Sequence, residues 1–80
     1  MTYKVYMVEC SDKSIYTGIT TDIDRRLHEH QNTQKGSKYV RRRLPIKLRW
    51  SSGWMDKSQA LKEEYRIKRL TAREKREMWG

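Results

Sequence analysis

From Tyr3 to Cys10 bulky and polar side chains alternate, and β-branched and aromatic residues are frequent, which predicts a strand. Ser11-Asp12-Lys13-Ser14 is turn chemistry, and Ile15 to Thr20 reads as a second strand that closes a hairpin. Thr21 or Asp22 is placed to cap a helix over roughly Ile23 to Gln31. Asn32 to Lys38 is polar and holds one glycine, so it reads as a loop; Arg41 to Pro45 reads as a basic connector. Ile46, Leu48 and Trp50 alternate with Lys47 and Arg49, the pattern of a third strand to Ser51 with one face buried. After a break at Ser52-Gly53, Asp56 with Gln59 predicts a capping box that opens a helix to about Leu70. Thr71 with Glu74 predicts a second box and a short basic final helix. The order strand, strand, helix, strand, helix, helix describes an α+β domain with a small three-stranded sheet, antiparallel or mixed, flanked by helices. No repeat or linker divides residues 1–80, which are expected to form a single domain.

Only 35% of the 80 residues are hydrophobic, so the core must come from few side chains. The pattern nominates Val5, Met7, Val8, Ile15, Ile19, Leu27, Ile46, Leu48, Trp50, Leu61, Ile67 and Leu70. Phe is absent, and the aromatic volume rests on five Tyr and three Trp, whose polar tips need partners when buried. The net charge of +9 favours a polyanion, with nucleic acid ahead of a membrane surface. A membrane surface would require a broad apolar helical face with basic flanks, and the helical stretches carry only narrow apolar stripes. No run approaches a membrane span, and the first residues lead into a strand rather than a signal peptide. Cys10 is the lone cysteine, so no internal disulfide forms, and a reducing cytoplasm is the expected compartment.

Three features carry possible chemistry. Residues advance about 100° each around a helix, so Arg26 and His30 are neighbours one turn apart. They share a face with Ile23 and Leu27, the side that should meet the sheet. Snorkelling of the arginine and capping of a carbonyl by the histidine would explain both without function. His28 and His30 do not form a metal pair, because side chains two apart on a helix diverge; His28 is expected at the surface. Glu64 is the second feature, lying roughly 15° from the mean direction of Ala60, Leu61, Tyr65 and Ile67, with Glu63 well off that face. A carboxylate so placed needs a cation, either a basic side chain or a divalent metal. Tyr6 and Tyr16, on the two hairpin strands, are the third. By base rate they are core aromatics with satisfied hydroxyls, although the same hydroxyls can orient or deprotonate a water attacking a phosphodiester.

Taken together, Lys4-Val5-Tyr6, Tyr16-Thr17-Gly18, Arg26, His30 and Glu64 resemble the GIY-YIG nuclease superfamily. Ile15-Tyr-Thr-Gly-Ile-Thr-Thr-Asp, Arg25-Arg26-Leu27-His28-Glu29-His30 and Ala60-Leu61-Lys62-Glu63-Glu64 are similar to its small single-domain bacterial members. So are Ile67-Lys68-Arg69-Leu70, Lys38-Tyr39 and Pro45, and the likeness spans nearly the whole chain. It implies a metal-dependent endonuclease. One of Tyr6 and Tyr16 would act as base or water-orienting group while the other supports it. Arg26 would contact the scissile phosphate, and His30 would assist proton handling or phosphate binding. Glu64 would hold one Mg²⁺ or Mn²⁺, and Gly18 would let the backbone approach closely beside the site. Lys4 replaces the first signature glycine, Thr17 fills the middle of the second signature, and Asn32 is the only asparagine, whereas many members place one near the domain's end.

Gln31 to Arg49 holds seven Lys or Arg and no acid, including Lys38, Arg41, Arg42 and Arg43. Such a stretch suits phosphate contact without base reading. Tyr39 would stack on a base or, the better-supported reading, pack its loop against the sheet. The resulting expectation is a structure-tolerant endonuclease acting on nucleic acid, DNA ahead of RNA. A non-catalytic nucleic-acid-binding module with the same fold is the alternative. A protein-interaction adaptor presenting Trp54 or Trp79 ranks third.

Overall fold

The computed structural model describes residues 1–80. Strand β1 (Lys4–Glu9) pairs on one side with β2 (Ile15–Thr20) and on the other with β3 (Lys47–Ser51), giving a sheet of order β2-β1-β3 with both pairings antiparallel. Helices α1 (Ile23–Asn32), α2 (Lys38–Arg41), α3 (Lys57–Lys68) and α4 (Ala72–Glu77) complete the chain. This is the α+β fold expected, with one addition. α2 is a single turn inside a polar basic stretch, too short for hydrophobic periodicity to reveal. No helix is long and apolar enough to cross a membrane.

Because β1 is the central strand, its two faces are buried against different partners. Tyr6, Val8 and Cys10 point to a core completed by Val40 and Ile46, with Tyr16, Ile23, Leu27 and Leu44 packed around it. Val5 and Met7 point the other way, onto Ala60 and Ile67 of α3, with Ile15, Ile19, Trp50, Met78 and Trp79 at the margin. α1 and α2 therefore cover one face of the sheet, and α3 with the chain's end covers the other.

Three nominated core residues, Leu48, Leu61 and Leu70, are not in the core; Leu70 is half-buried but packs against neither cluster. Leu48 is 42% exposed because the β1–β3 register shifts between Met7 and Val8. Trp50 pairs with Met7 and Leu48 with Val8, so the irregularity sends the two to opposite faces and breaks the two-residue alternation. Leu61 is 45% exposed, and Tyr65 is more so, because α3 buries only the narrow stripe of Ala60 and Ile67. Glu63 as well as Glu64 is half-buried beside that stripe, so Glu63 lies closer to it than helical geometry built on Leu61 and Tyr65 implied. Val40, Tyr6, Cys10 and Ala60 are core members that were not nominated.

The caps follow the sequence closely. Asp22 accepts from the Arg25 N–H at 3.0 Å and so starts α1. Asp56 accepts from the Gln59 N–H at 2.8 Å, but the Gln59 side chain returns no bond, so only half of that box forms. Thr71 and Glu74 form the complete reciprocal box at α4.

Candidate active site

Tyr6 sits on the central strand directly opposite Gly18 of β2. Its ring fills the space a side chain at 18 would need, since a Cβ there would lie 2.7 Å from the phenolic oxygen and 2.9 Å from Cζ. Gly18 thus serves the site by making room for Tyr6. The ring is only 1% exposed, and its hydroxyl meets His30 Nε2 at 2.9 Å.

α1 delivers Arg26 and His30 on the face shared with Ile23 and Leu27, as its geometry predicts. His30 is fully buried. Its second ring nitrogen, Nδ1, accepts the backbone N–H of Ser37 at 3.1 Å, so both nitrogens are engaged by protein. Capping of a carbonyl, one explanation available from the sequence, is not what this ring does. Burial and the nearby Arg26 charge push its pKa down to about 4, with Glu29 opposing, and the imidazole is neutral near pH 7.

Arg26 Nη1 donates to Glu29 Oε1 at 3.0 Å and to the Lys35 carbonyl at 3.1 Å. Burial works against its charge, but bonding to Glu29 and Tyr6 outweighs that and holds its pKa above the ordinary value. Tyr6 moves up to about 12, chiefly through burial and next through Tyr16, with Arg26 pulling the other way and Glu64 adding to the rise. The arginine side chain keeps 27% of its surface exposed. It lines an open depression of about 370 Å³ where β2 ends beside the start of β1, with Tyr3, Ile19, Thr20, Arg25 and Glu29.

Tyr16 is half-buried and places its ring edge-on to His30, with centroids 5.5 Å apart. Its outer side stacks on Tyr39 at 6.1 Å, and the Arg43 guanidinium lies 3.8 Å from the centre of the Tyr39 ring. Tyr39 therefore packs its segment against the sheet, with one side on Tyr16 and Arg43 over its ring. Arg43 is committed further, to Asp12 at 3.0 Å and to the Tyr39 carbonyl at 2.9 Å.

Glu64 reaches the region from α3, on the opposite side of the sheet. Its side chain is 20% exposed, and Oε2 lies 3.5 Å from Lys68 Nζ. No group of three His, Cys, Asp or Glu is arranged to hold a metal. The structure thus gathers Tyr6, Tyr16, Arg26 and His30 into one cluster and brings the charge of Glu64 within range of Tyr6. It does not line a single open cleft with all of them: Arg26 borders a depression that Tyr6, Tyr16 and Glu64 do not.

The basic stretch is less one-sided in space than in sequence. Arg43 is paired with Asp12 and Arg49 with Glu9, both acids coming from the hairpin. Lys35, Lys38, Arg42 and Lys47 are exposed and unpaired, and half-buried Arg41 has an Nε with no partner. Two parts of the site escaped sequence reasoning altogether. One is the Ser37 N–H, a backbone group with no side-chain signature. The other is Gly36, whose hypothetical Cβ would fall 2.5 Å from His30 Cα. A lone glycine six residues past a helical histidine was the available hint.

Comparison with known proteins bears on the family and the fold. The family model described as the GIY-YIG catalytic domain matches residues 2–77. A UPF0213 protein of Halobacterium salinarum is 48% identical, the match covering 91% of this chain and 94% of that protein. Another, from Streptococcus agalactiae, is 48% identical over 89% of this chain and 80% of its own. The solution NMR structure of a UPF0213 protein from Bacillus halodurans superposes with a TM-score of 0.61 at 42% identity, covering 98% of this chain and 82% of that one. An E. faecalis protein, also solved by NMR, gives 0.67 at 36% identity with the same coverage. Matched over residues 2–77, this chain belongs to the GIY-YIG family of nuclease-type domains.

Proposed function

We propose that this protein is a metal-dependent endonuclease that hydrolyses nucleic-acid phosphodiester bonds, DNA ahead of RNA, with broad tolerance of substrate structure. The observation that carries the reading is Arg26: a partly exposed guanidinium at the border of an open depression, held beside two phenols. A guanidinium there pairs with a phosphate and stabilises the charge that builds as the bond breaks. Tyr16, the more exposed phenol, orients or deprotonates the attacking water, and Tyr6, which keeps its proton at neutral pH, supports it by hydrogen bonding. Lys38, Arg41 and Arg42 hold the flanking phosphates without reading bases.

Glu64 suits one Mg²⁺ or Mn²⁺. It is a hard oxygen donor, partly exposed, with only one of its oxygens engaged by Lys68. Water and the substrate's own phosphate oxygens would complete the shell, and the ion when bound would supply Lewis-acid stabilisation of the leaving oxygen.

A second reading is favoured by one specific observation, the near-complete burial of Tyr6 together with the lack of a shared cleft. On that reading the domain binds nucleic acid without cutting it. Incubation of the purified chain with duplex, branched and single-stranded DNA across Mg²⁺ and Mn²⁺ separates the two. The nuclease reading expects metal-dependent nicking that disappears in Glu64→Ala and Arg26→Ala. Intact DNA under all these conditions, with binding unchanged in Glu64→Ala, gives the assignment to the second reading.

A further inference from the structure

We infer that the backbone N–H of Ser37 fixes the tautomer of His30, and that His30 in turn holds Tyr6 as a hydrogen-bond acceptor whose own proton faces away from the imidazole. His30 is on this view a positioning residue and not a proton carrier.

The inference follows from donor and acceptor chemistry at three atoms. A backbone N–H can only donate, so His30 Nδ1, 3.1 Å from Ser37 N, must present a lone pair. In a neutral imidazole the single proton then lies on Nε2. Nε2 faces the Tyr6 hydroxyl at 2.9 Å, so the histidine donates and the phenolic oxygen accepts. The opposite tautomer would set two buried N–H groups against each other at Nδ1, leaving one unsatisfied. The ring is fully buried, so water offers no substitute partner.

The donor is held firmly in place. Gly36 lies so close to α1 that a Cβ would fall 2.9 Å from the Glu29 carbonyl and 3.0 Å from His30 Nδ1. Thr33 bonds back to the Glu29 carbonyl through its N–H at 3.2 Å and its hydroxyl at 2.9 Å, and the Lys35 N–H meets that hydroxyl at 3.1 Å. Arg26 takes the Lys35 carbonyl at 3.1 Å. Residues 33–37 are thus stitched onto the end of α1, and the Ser37 N–H is aimed by that stitching.

A functional consequence follows, and only this part rests on the proposed nuclease activity. With Nε2 already protonated, His30 cannot receive the proton of Tyr6, and with no exposed surface it touches neither water nor substrate. Its contribution is directional: one lone pair of the Tyr6 oxygen is occupied, so the O–H turns elsewhere.

The test is long-range ¹H–¹⁵N NMR of the full chain near pH 7. There are two histidines in the sequence, and a His28→Gln variant assigns them. Expected is a pyridine-type Nδ1 and a protonated, pyrrole-type Nε2 for His30. Ser37 has a φ of −60°, which proline also adopts, so Ser37→Pro removes the N–H; its Cδ takes the place of that hydrogen, 3.1 Å from N to Nδ1 in the wild type, so the imidazole and residue 37 must move apart, whereas Ser37→Ala retains the N–H. The proposal expects the wild-type pattern in Ser37→Ala and an averaged or reversed pattern in Ser37→Pro. A proton on Nδ1 in the wild type overturns it, and so does a Ser37→Pro spectrum identical to that of the wild type. Should Ser37→Pro not fold, the wild-type and Ser37→Ala spectra decide. None of these readouts needs turnover, so an inactive protein leaves the tautomer result standing. Where nicking is measured, His30→Gln, which keeps an N–H donor for Tyr6, is expected to outperform His30→Leu by about tenfold or more. A proton carrier would lose about 10²–10⁴-fold in both alike.

Discussion

The Tyr6 ring lies across Gly18, its cross-strand partner, closely enough that a methyl group at position 18 would come within 2.7 Å of the phenolic oxygen. The two signature motifs are therefore a single packing unit: the glycine of one is the slot for the tyrosine of the other. Gly18→Ala is expected to displace the ring and destabilise the fold by about 1–3 kcal/mol, the usual cost of overpacking. Gly53→Ala, where a Cβ meets nothing within 4 Å, should be near neutral. Urea titrations of the two variants check the contrast, and equal stabilities would refute the slot.

Neighbouring arginines of identical type are expected to behave differently. Arg42 is exposed and unpaired, whereas Arg43 is bound to Asp12, to the Tyr39 carbonyl and over the Tyr39 ring. Arg42→Ala should weaken DNA binding across all sequences and lower the slope of log affinity against log salt by about 1, with little change in Tm. Arg43→Ala should lower Tm by a few degrees, because Tyr39 and Tyr16 lose their outer support. Anisotropy titrations over a salt series, beside thermal melts, read both. Equivalent profiles for the two variants would mean that the ion pair with Asp12 does not hold in solution.

That contrast also marks where the sequence is legible. The two hairpin strands, the Asp22, Asp56 and Thr71 caps and the inward face of α1 rest on local signals, and each appears in the structure at its expected place. What failed depended on partners distant in the chain. Leu48 is patterned like a core residue, but the irregular register against Met7 and Val8 separates it from Trp50 and leaves it 42% exposed on an outer strand. The run from Gln31 to Arg49 contains no acid, yet Asp12 and Glu9 reach it across the fold. The cluster around Tyr6 was legible as residue types, while the Ser37 N–H that completes it is invisible because backbone groups leave no letter.

Acid should loosen the protein before its carboxylates are all protonated. His30 has its folded pKa lowered to about 4, against about 6.5 in an unfolded chain. Between these values the unfolded state binds the extra proton, so the stability His30 contributes is full above about pH 6.5 and is lost as pH falls toward 4. The linkage amounts to at most about 3 kcal/mol. Protonation places a hydrogen on Nδ1 against the Ser37 N–H, so residues 33–37 should exchange their amides first. Denaturant midpoints at pH 7.5 and 4.5 for the wild type and His30→Gln test this. A slope equally steep in the variant would assign the effect to other groups, among them Glu9 and Asp12, whose pKa values are also lowered, chiefly by hydrogen bonds with Arg49 and Ser14.

The ion pair between Glu64 and Lys68 provides a graded test of the metal. The two are one helical turn apart on α3, 3.5 Å between Oε2 and Nζ, and the lysine is about half exposed. Exposed pairs of this spacing contribute about 0.3–0.5 kcal/mol, so Lys68→Gln should barely alter stability. The ammonium nonetheless occupies an oxygen that a divalent cation would use, and its removal frees that oxygen. The Mg²⁺ concentration giving half-maximal nicking should therefore fall by about twofold, matching the energy of the lost pair. Glu64→Gln, which retains the shape and loses the charge, should abolish the metal response while leaving Tm within a few degrees. If Lys68→Gln instead raises the Mg²⁺ requirement, the lysine belongs to the phosphate-binding surface and Glu64 meets its metal from another side.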